Sequence, residues 1–155
     1  MPARRLVRLI EKNSEQLARE LSEKVWNSPR CSDLRKVPAD ELQARTREIY
    51  RNLSDWLLDK AETQVERRYT ELGAARAQQG VAYSHFVWAI ISTKEHVRVF
   101  IQREGQSDSA MELHGELELQ LLLGHFFDLV LYYAAVGYEQ ERNRIGGKQK
   151  RRKGD

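Results

Sequence analysis

Two ionisable side chains, His125 and Asp128, lie three residues apart in the predominantly apolar segment 124–140. Residues at positions i and i+3 share one face of a helix, so the two groups can meet there. Buried together they would form a polar pair, either a structural clamp or the floor of a ligand pocket. We predict a clamp, and we name Trp88 and Tyr132 as the aromatic side chains that would complete a pocket.

The remaining chemistry-bearing residues match no familiar catalytic or metal motif. None of the histidines stands in an E-x-x-H pair of the kind that di-iron bundles use, and H-E-x-x-H is absent. Cys31 is the only cysteine, which excludes a cysteine-rich zinc site. The nucleophile elbow G-x-S-x-G, the phosphate-binding loop and G-x-G-x-x-G are also absent. The sequence therefore predicts a protein that is not an enzyme, without catalytic residues, metal or cofactor.

One cofactor alternative stays open. An all-helical domain of this length is also compatible with a globin, in which a helix-borne histidine binds haem iron. His96 and His125 both lie among apolar residues. A haem-binding, globin-like sensor is therefore the alternative to a module that carries no cofactor.

Size and composition indicate a single soluble domain. The chain has 155 residues, of which 41% are hydrophobic and 32% charged. A lone cysteine allows no internal disulfide, which suits a reducing compartment. The N-terminus has basic residues but no apolar run of signal-peptide length, so we expect a cytoplasmic protein.

Charge is distributed unevenly along the chain. The net charge is +3, yet residues 142–155 carry seven bases and one acid, so the body is mildly acidic and the end is basic. We predict a helical domain over 1–141 and a basic, disordered tail over 142–155. No aromatic residues separate the cations of the tail, so specific nucleic-acid binding is not expected. Weak attraction of the tail to anionic lipid is a further hypothesis.

Apolar residues recur at helical spacing along the chain, and no segment alternates as a strand does. The predicted helices run from about 5 to 27, from Pro38 to a stop at Gly80 with a break near Ser54-Asp55 or Gly73, from 82 to 103, and from 110 to 142. Ser109 and Glu112 match a capping box at the start of the last helix. The fold class is all-α: a single bundle of about four to six helices around a nearly fully buried C-terminal helix.

The run 119–138 also has the length of a membrane span. Gln120, His125 and Asp128 interrupt it, and an aspartate near the centre of a span costs about 2.5–3.5 kcal/mol on insertion scales. The other predicted helices are amphipathic and need an apolar partner to cover. We therefore predict the central helix of a soluble bundle and no transmembrane segment.

Four stretches together resemble a known family. They are "LARELSEKVWNSPR", "VPADELQARTREIYRNLSDWL", "RYTELGAARAQQGVAYSHFVWAI" and "HFFDLVLYYAAVGYE". The chain resembles the N-terminal domain of the RsbT co-antagonist RsbRD proteins, a sensor-type domain also found at the N-terminus of bacterial sensor histidine kinases. The resemblance covers about residues 9–139. Its patterns, such as Tyr69-x-x-Leu72-Gly73 and Phe127-Asp128, are typical of a scaffold and do not specify a reaction.

The resemblance implies an all-helical cytoplasmic module that feeds an output domain. After Glu139 the chain has no phosphotransfer domain, STAS domain or kinase core, which leaves binding as the expected activity. It also implies that Asp128, at the Phe-Asp position of the family, has a structural role. We predict a non-enzymatic bacterial signalling module that binds a partner protein or a small ligand and transmits the event through helix packing. We further predict a homodimer.

Overall fold

The computed structural model describes residues 2–59, 62–105 and 109–154, and within these ranges the chain is all-α, as predicted. These ranges contain six α-helices: α1 Pro2–Lys12, α2 Ser14–Trp26, α3 Ala39–Arg51, α4 Glu62–Gln78, α5 Tyr83–Glu104 and α6 Ala110–Lys153. A short 3-10 segment, Pro29–Lys36, joins α2 to α3, and a π-helical turn, Asp55–Asp59, follows α3.

Asparagine side chains mark both breaks in the first half of the chain. Asn13 separates α1 from α2, where one continuous helix was predicted, because its Nδ2 donates to the Leu9 carbonyl at 2.8 Å. Asn52 ends α3 in the same way, with Nδ2 donating to the Glu48 carbonyl at 3.0 Å. Such local bonds compete with the next turn of a helix. The second break lies close to the predicted point at Ser54.

Two turn signals in the sequence are confirmed. Gly80, just beyond the end of α4, adopts a φ of 73°, the left-handed conformation that glycine accepts without a steric penalty. Ser109 precedes α6, and its Oγ accepts a bond from the Glu112 backbone N–H at 3.4 Å. At the start of α5, Asp33 accepts a bond from the Ala82 N–H at 2.8 Å, which lowers the pKa of that carboxyl.

The C-terminal helix differs from its prediction in length. It continues to Lys153, beyond the predicted end near 142 and into the range for which we predicted a disordered tail. Extending an existing helix requires no new nucleation, and Lys, Arg and Gln are good helix formers. Arg144 pairs with Glu141 one turn earlier, and the basic last turn suits the negative end of the helix dipole.

The predicted near-complete burial of the C-terminal helix is wrong, because α6 is buried on one side only. In the apolar 18-residue stretch of this helix, 33% is buried inside the bundle. The buried side packs mainly against α4, and α1 and α5 contact the same helix. Its largest buried residues are Leu119, Leu123, Phe126, Phe127, Val130 and Tyr138. The opposite side of α6, although also apolar, is not covered by any element in the described part of the chain.

The contact between α4 and α6 depends on two glycines that let the backbones approach. A Cβ added to Gly73 would lie 2.0 Å from the Ala134 carbonyl oxygen. A Cβ added to Gly137 would lie 2.0 Å from the Thr70 carbonyl oxygen. Both gaps are far shorter than any van der Waals contact, so these positions admit no side chain without moving a helix. Gly73 was predicted as a point where a helix breaks, and it instead lies within α4.

Aromatic packing extends this contact in both directions. Trp56, Tyr69 and Phe126 form a triangle of rings whose centroids lie 5.7–6.0 Å apart. Further along α6, the buried Tyr138 hydroxyl donates a hydrogen bond to the Val81 carbonyl in the turn after α4. The core therefore links the π-helical turn, α4, α6 and the α4–α5 turn in one continuous layer.

Replacing Gly137 with alanine should destabilise the fold by about 1–3 kcal/mol or more, because the methyl group forces α4 and α6 apart. Urea denaturation monitored by circular dichroism measures the loss. Gly146→Ala is the matched control, since it lies on the same helix with nothing within 4 Å of an added Cβ. It should leave stability unchanged or raise it slightly. Equal denaturation midpoints for the two variants would show that the helices do not approach this closely.

Tyr138→Phe should cost about 1–3 kcal/mol, because it leaves the buried Val81 carbonyl without its donor. Tyr133→Phe is the matched control on the same helix. The Tyr133 hydroxyl donates to Glu62 at 2.6 Å in an exposed position, where water can replace the bond. Thermal unfolding should therefore show a clearly larger drop for Tyr138→Phe. A larger drop for Tyr133→Phe would contradict this assignment of the buried bond.

Candidate functional site

The predicted polar pair is not buried. His125 and Asp128 both lie on the exposed side of α6. In the described part of the chain neither side chain forms a hydrogen bond or ion pair. The expected clamp is therefore wrong as a feature of the single chain. The reason is that α6 is apolar on all sides over this stretch, so hydropathy alone does not show which side the rest of the chain covers.

The four predicted site residues lie in two places: His125, Asp128 and Tyr132 on the exposed side of α6, and Trp88 on α5. His125 borders a cavity of about 160 Å³ between the π-helical turn, α4 and α6, with Trp56 and Phe126 among its walls. Trp88 does not line that cavity; it is half-buried on α5 beneath the Arg30 guanidinium, 4.3 Å from the ring centre. Tyr132 is 63% exposed and contacts Tyr133. No shared pocket unites them.

Exposed residues of α6 form one continuous stripe, which we call the outer face of α6. Its members are Leu113, Leu117, Leu121, His125, Asp128 and Tyr132. The spacing of three or four residues keeps all of them on one side of the helix. The exposed fractions of Leu113, Leu117, Leu121 and Tyr132 are 53%, 57%, 77% and 63%. An apolar stripe of this kind on a helix is typical of an interaction surface.

A second candidate site lies inside the bundle, and we call it the inner cavity. It measures about 80 Å³ and lies between α2, α3, α4 and α5. Its lining is mostly apolar, with three hydroxyl side chains and two arginines at its edge. The polar members are Ser22, Thr46, Thr93, Arg45 and Arg76.

Arg76 is the buried charge beside this cavity, with 3% of its side chain exposed. Its Nη1 donates to Glu41 Oε1 at 3.1 Å and to Gln79 Oε1 at 2.8 Å. Burial lowers the pKa of the guanidinium, and the bond to the Glu41 carboxylate opposes that shift. Sequence analysis missed this group as a site residue. Its burial could have been predicted from its position, because it lies seven residues after Tyr69, on the same apolar side of α4.

A third cluster of polar side chains, Glu20, Tyr50 and His96, lies between α2, α3 and α5. Tyr50 is fully buried, and its hydroxyl has no hydrogen-bond partner among the described residues. Nearby, His96 Nε2 lies 3.3 Å from the Glu20 carboxylate, close enough for an ion pair but outside hydrogen-bond geometry. Burial lowers the pKa of His96, which favours the neutral ring at pH 7. The group holds no nucleophile aligned with a base.

The described residues give no support to the haem hypothesis. His96 is directed at Glu20, and His125 is exposed beside a cavity of about 160 Å³. Cofactor sites usually measure about 300–1,000 Å³. No group of three His, Cys, Asp or Glu side chains within the described ranges is placed to hold a metal ion. Cys31 is buried, and burial raises the pKa of its thiol, which disfavours the reactive thiolate.

By length and composition α6 is the one described helix that is long and apolar enough to cross a membrane. A single helix of this kind is weak support for a span, because the core helices of soluble proteins have the same composition. The outer face of α6 and the inner cavity are therefore the two candidate binding sites.

Comparison with known proteins gives a family match and no individual relative. No curated protein and no solved structure matches the chain. The family described as "RsbT co-antagonist protein rsbRD N-terminal domain" matches over residues 14–153. This is a regulatory family of stress signalling and not a known enzyme family. With nearly all of its length matched, from α2 to the end of α6, the chain belongs to the RsbRD N-terminal domain family.

Proposed function

We propose that this protein is a non-enzymatic regulatory module of bacterial stress signalling that works in the cytoplasm as a homodimer. In this proposal two copies pair through the outer face of α6. The main observation in its favour is the exposure of that face, where Leu121 is 77% exposed although it lies on the one described helix that is long and apolar enough to cross a membrane. Burying such a stripe against a second copy removes its apolar surface from water.

The stripe is complementary to itself in an antiparallel arrangement. A two-fold axis level with the midpoint between Phe126 and Phe127 places His125 opposite Asp128 of the second copy. The same axis places Leu121 opposite Tyr132 of the second copy. In a two-fold interface each such contact occurs twice. The polar residues at the centre then fix the register, as polar groups do in paired helices.

A second copy suits this face better than a lipid bilayer does. His125 and Asp128 lie in the middle of the stripe, and an aspartate at the centre of a bilayer costs about 2.5–3.5 kcal/mol on insertion scales. Across a dimer the same two groups face each other. The basic residues that end α6 lie beyond the stripe and remain available to water or to another partner.

Helix packing offers a route from this interface into the rest of the bundle. The buried side of α6 meets α4 at Gly73 and Gly137, where the backbones leave no free space. A shift of α6 in the dimer therefore displaces α4. On α4, Leu72 and Arg76 line the inner cavity. Small helix shifts at subunit interfaces are a common way for regulatory proteins to connect two sites.

Leu121→Glu should convert the dimer into a monomer, because it places two charges in the apolar part of the paired face. Light scattering coupled to size-exclusion chromatography should give twice the 18.1 kDa chain mass for the unmodified protein and a single chain mass for the variant. Val99→Glu is the matched control: Val99 is 45% exposed on α5 and lies outside the outer face, so this variant should stay dimeric.

Two outcomes would contradict the proposal. The first is a monomer at all accessible concentrations for the unmodified protein. The second is a dimer that survives Leu121→Glu but is lost with Val99→Glu. Co-sedimentation with anionic vesicles that Leu121→Glu abolishes would assign the outer face to a membrane instead.

A further inference from the structure

We propose that the inner cavity is a binding site for a small apolar monocarboxylate. Its hydrocarbon body would lie among α2, α3, α4 and α5, and its carboxylate would bind the Arg45 guanidinium. This inference deepens the function proposed above, because the role of the ligand as an effector rests on that regulatory function.

The size and lining of the cavity define the body of the ligand. A dry cavity of about 150 Å³ holds one benzene molecule, so a cavity of about 80 Å³ holds a shorter apolar group of about three or four carbons. The walls come from all four helices and from the 3-10 segment. They are almost entirely aliphatic or aromatic, with Leu21, Leu42, Ile49, Leu72, Phe86 and Ala89 among them. A chain of about three or four carbons matches this space and this chemistry, and the carbons next to the head group would lie at the mouth of the cavity.

The charges at the edge of the cavity define the head group. Arg76 is bound to Glu41, and Arg68 is bound to Glu48 through two nitrogens. Arg45 has only a 4.0 Å contact with the Glu48 carboxylate, which Arg68 already occupies. In this cluster three guanidinium groups therefore face two carboxylates, and Arg45 is the surplus cation.

Arg45 is placed to meet a ligand from the mouth of the cavity. It lines the cavity, and 33% of its side chain is exposed. A guanidinium binds a carboxylate through two parallel hydrogen bonds, which a surface lysine does not reproduce. A carboxylate at this position would neutralise the surplus charge while the apolar body fills the space behind it.

Ser22 provides a second polar contact. Its Oγ is buried at the cavity wall and has no hydrogen-bond partner among the described residues. The other two hydroxyls of the wall are already used: Thr46 donates to the Leu42 carbonyl at 2.9 Å and Thr93 to the Ala89 carbonyl at 2.8 Å. Buried hydroxyls in native proteins are nearly always bonded, so the Ser22 hydroxyl is available to a polar atom of a ligand in the cavity.

The test is calorimetric titration of the full-length protein with hexanoate. Hexanamide, which has the same body without the charge, and acetate, which has the charge without the body, are the control ligands. We expect hexanoate to bind at least about tenfold more tightly than either control, the scale of one charge-assisted hydrogen bond. Hexanoate should also raise the unfolding temperature, since a ligand that binds the folded state stabilises it.

Two variants locate the site. Arg45→Gln should weaken hexanoate binding about tenfold or more and remove its preference over hexanamide. Arg51→Gln is the matched control, because Arg51 lies on the same helix, is 59% exposed and does not line the cavity. Ala89→Leu should fill the cavity and abolish binding of both hexanoate and hexanamide. Circular dichroism verifies that each variant is folded.

The inference falls if hexanoate and hexanamide bind equally, if neither binds, or if Ala89→Leu leaves hexanoate affinity unchanged. Light scattering on the same samples separates this result from the proposed dimer. A dimer that binds no hexanoate retains the proposed function and rejects the ligand. A monomer that binds hexanoate through Arg45 retains the ligand site and rejects the dimer.

Discussion

The close approach of α4 and α6 is the constraint on which the rest of this structure depends. Gly73 and Gly137 each present a bare backbone to a carbonyl of the other helix, and an added methyl group would overlap that carbonyl. This contact sets the distance and crossing of the two helices. The positions of Tyr138 under Val81 and of Phe126 against Trp56 and Tyr69 follow from it. One side of α6 is thereby committed to the bundle, and its outer face is left free.

Polar groups inside the bundle are arranged so that charge rarely stands alone. Arg76 is enclosed by Glu41 and Gln79, which compensates for the loss of water around a guanidinium. Arg45 is less well compensated, because its neighbouring carboxylate already serves Arg68. It lies at an apolar cavity that α4 also lines, through Leu72 and Arg76. In our proposals, ligand binding and dimer formation therefore both involve α4.

Local features of the fold were largely predictable, and global features of the site were not. Glycine favours a positive φ and serine favours a capping hydrogen bond. Gly80 and Ser109 therefore predicted the end of α4 and the start of α6 correctly. The break at Asn13 was missed because an asparagine in an amphipathic stripe is compatible with either a continuous or a broken helix. The glycine contact was also missed, since Gly73 is equally consistent with a bend until its partner at Gly137 is known.

The apolar composition of α6 misled the prediction about burial for a physical reason. Hydropathy records that a surface avoids water but not which molecule covers it. The apolar side chains of Leu121 and Tyr132 predicted a buried position, but in the single chain both are exposed. Arg76 shows the opposite mismatch. Its charge suggests an exposed position, but its place on the apolar stripe of α4 makes it buried. The family membership, by contrast, was predictable from the sequence because the scaffold residues carry it.

The central claim is that α6 is packed by this chain on one side and by a second copy on the other. Pulsed electron paramagnetic resonance tests it most directly, with a single spin label at Leu113→Cys in a Cys31→Ala background. At a helical rise of about 1.5 Å per residue, the antiparallel arrangement predicts roughly 40 Å between the two labels. A distance below about 20 Å would indicate parallel pairing, and the absence of any dipolar coupling would show that no dimer forms. Either result would contradict the account.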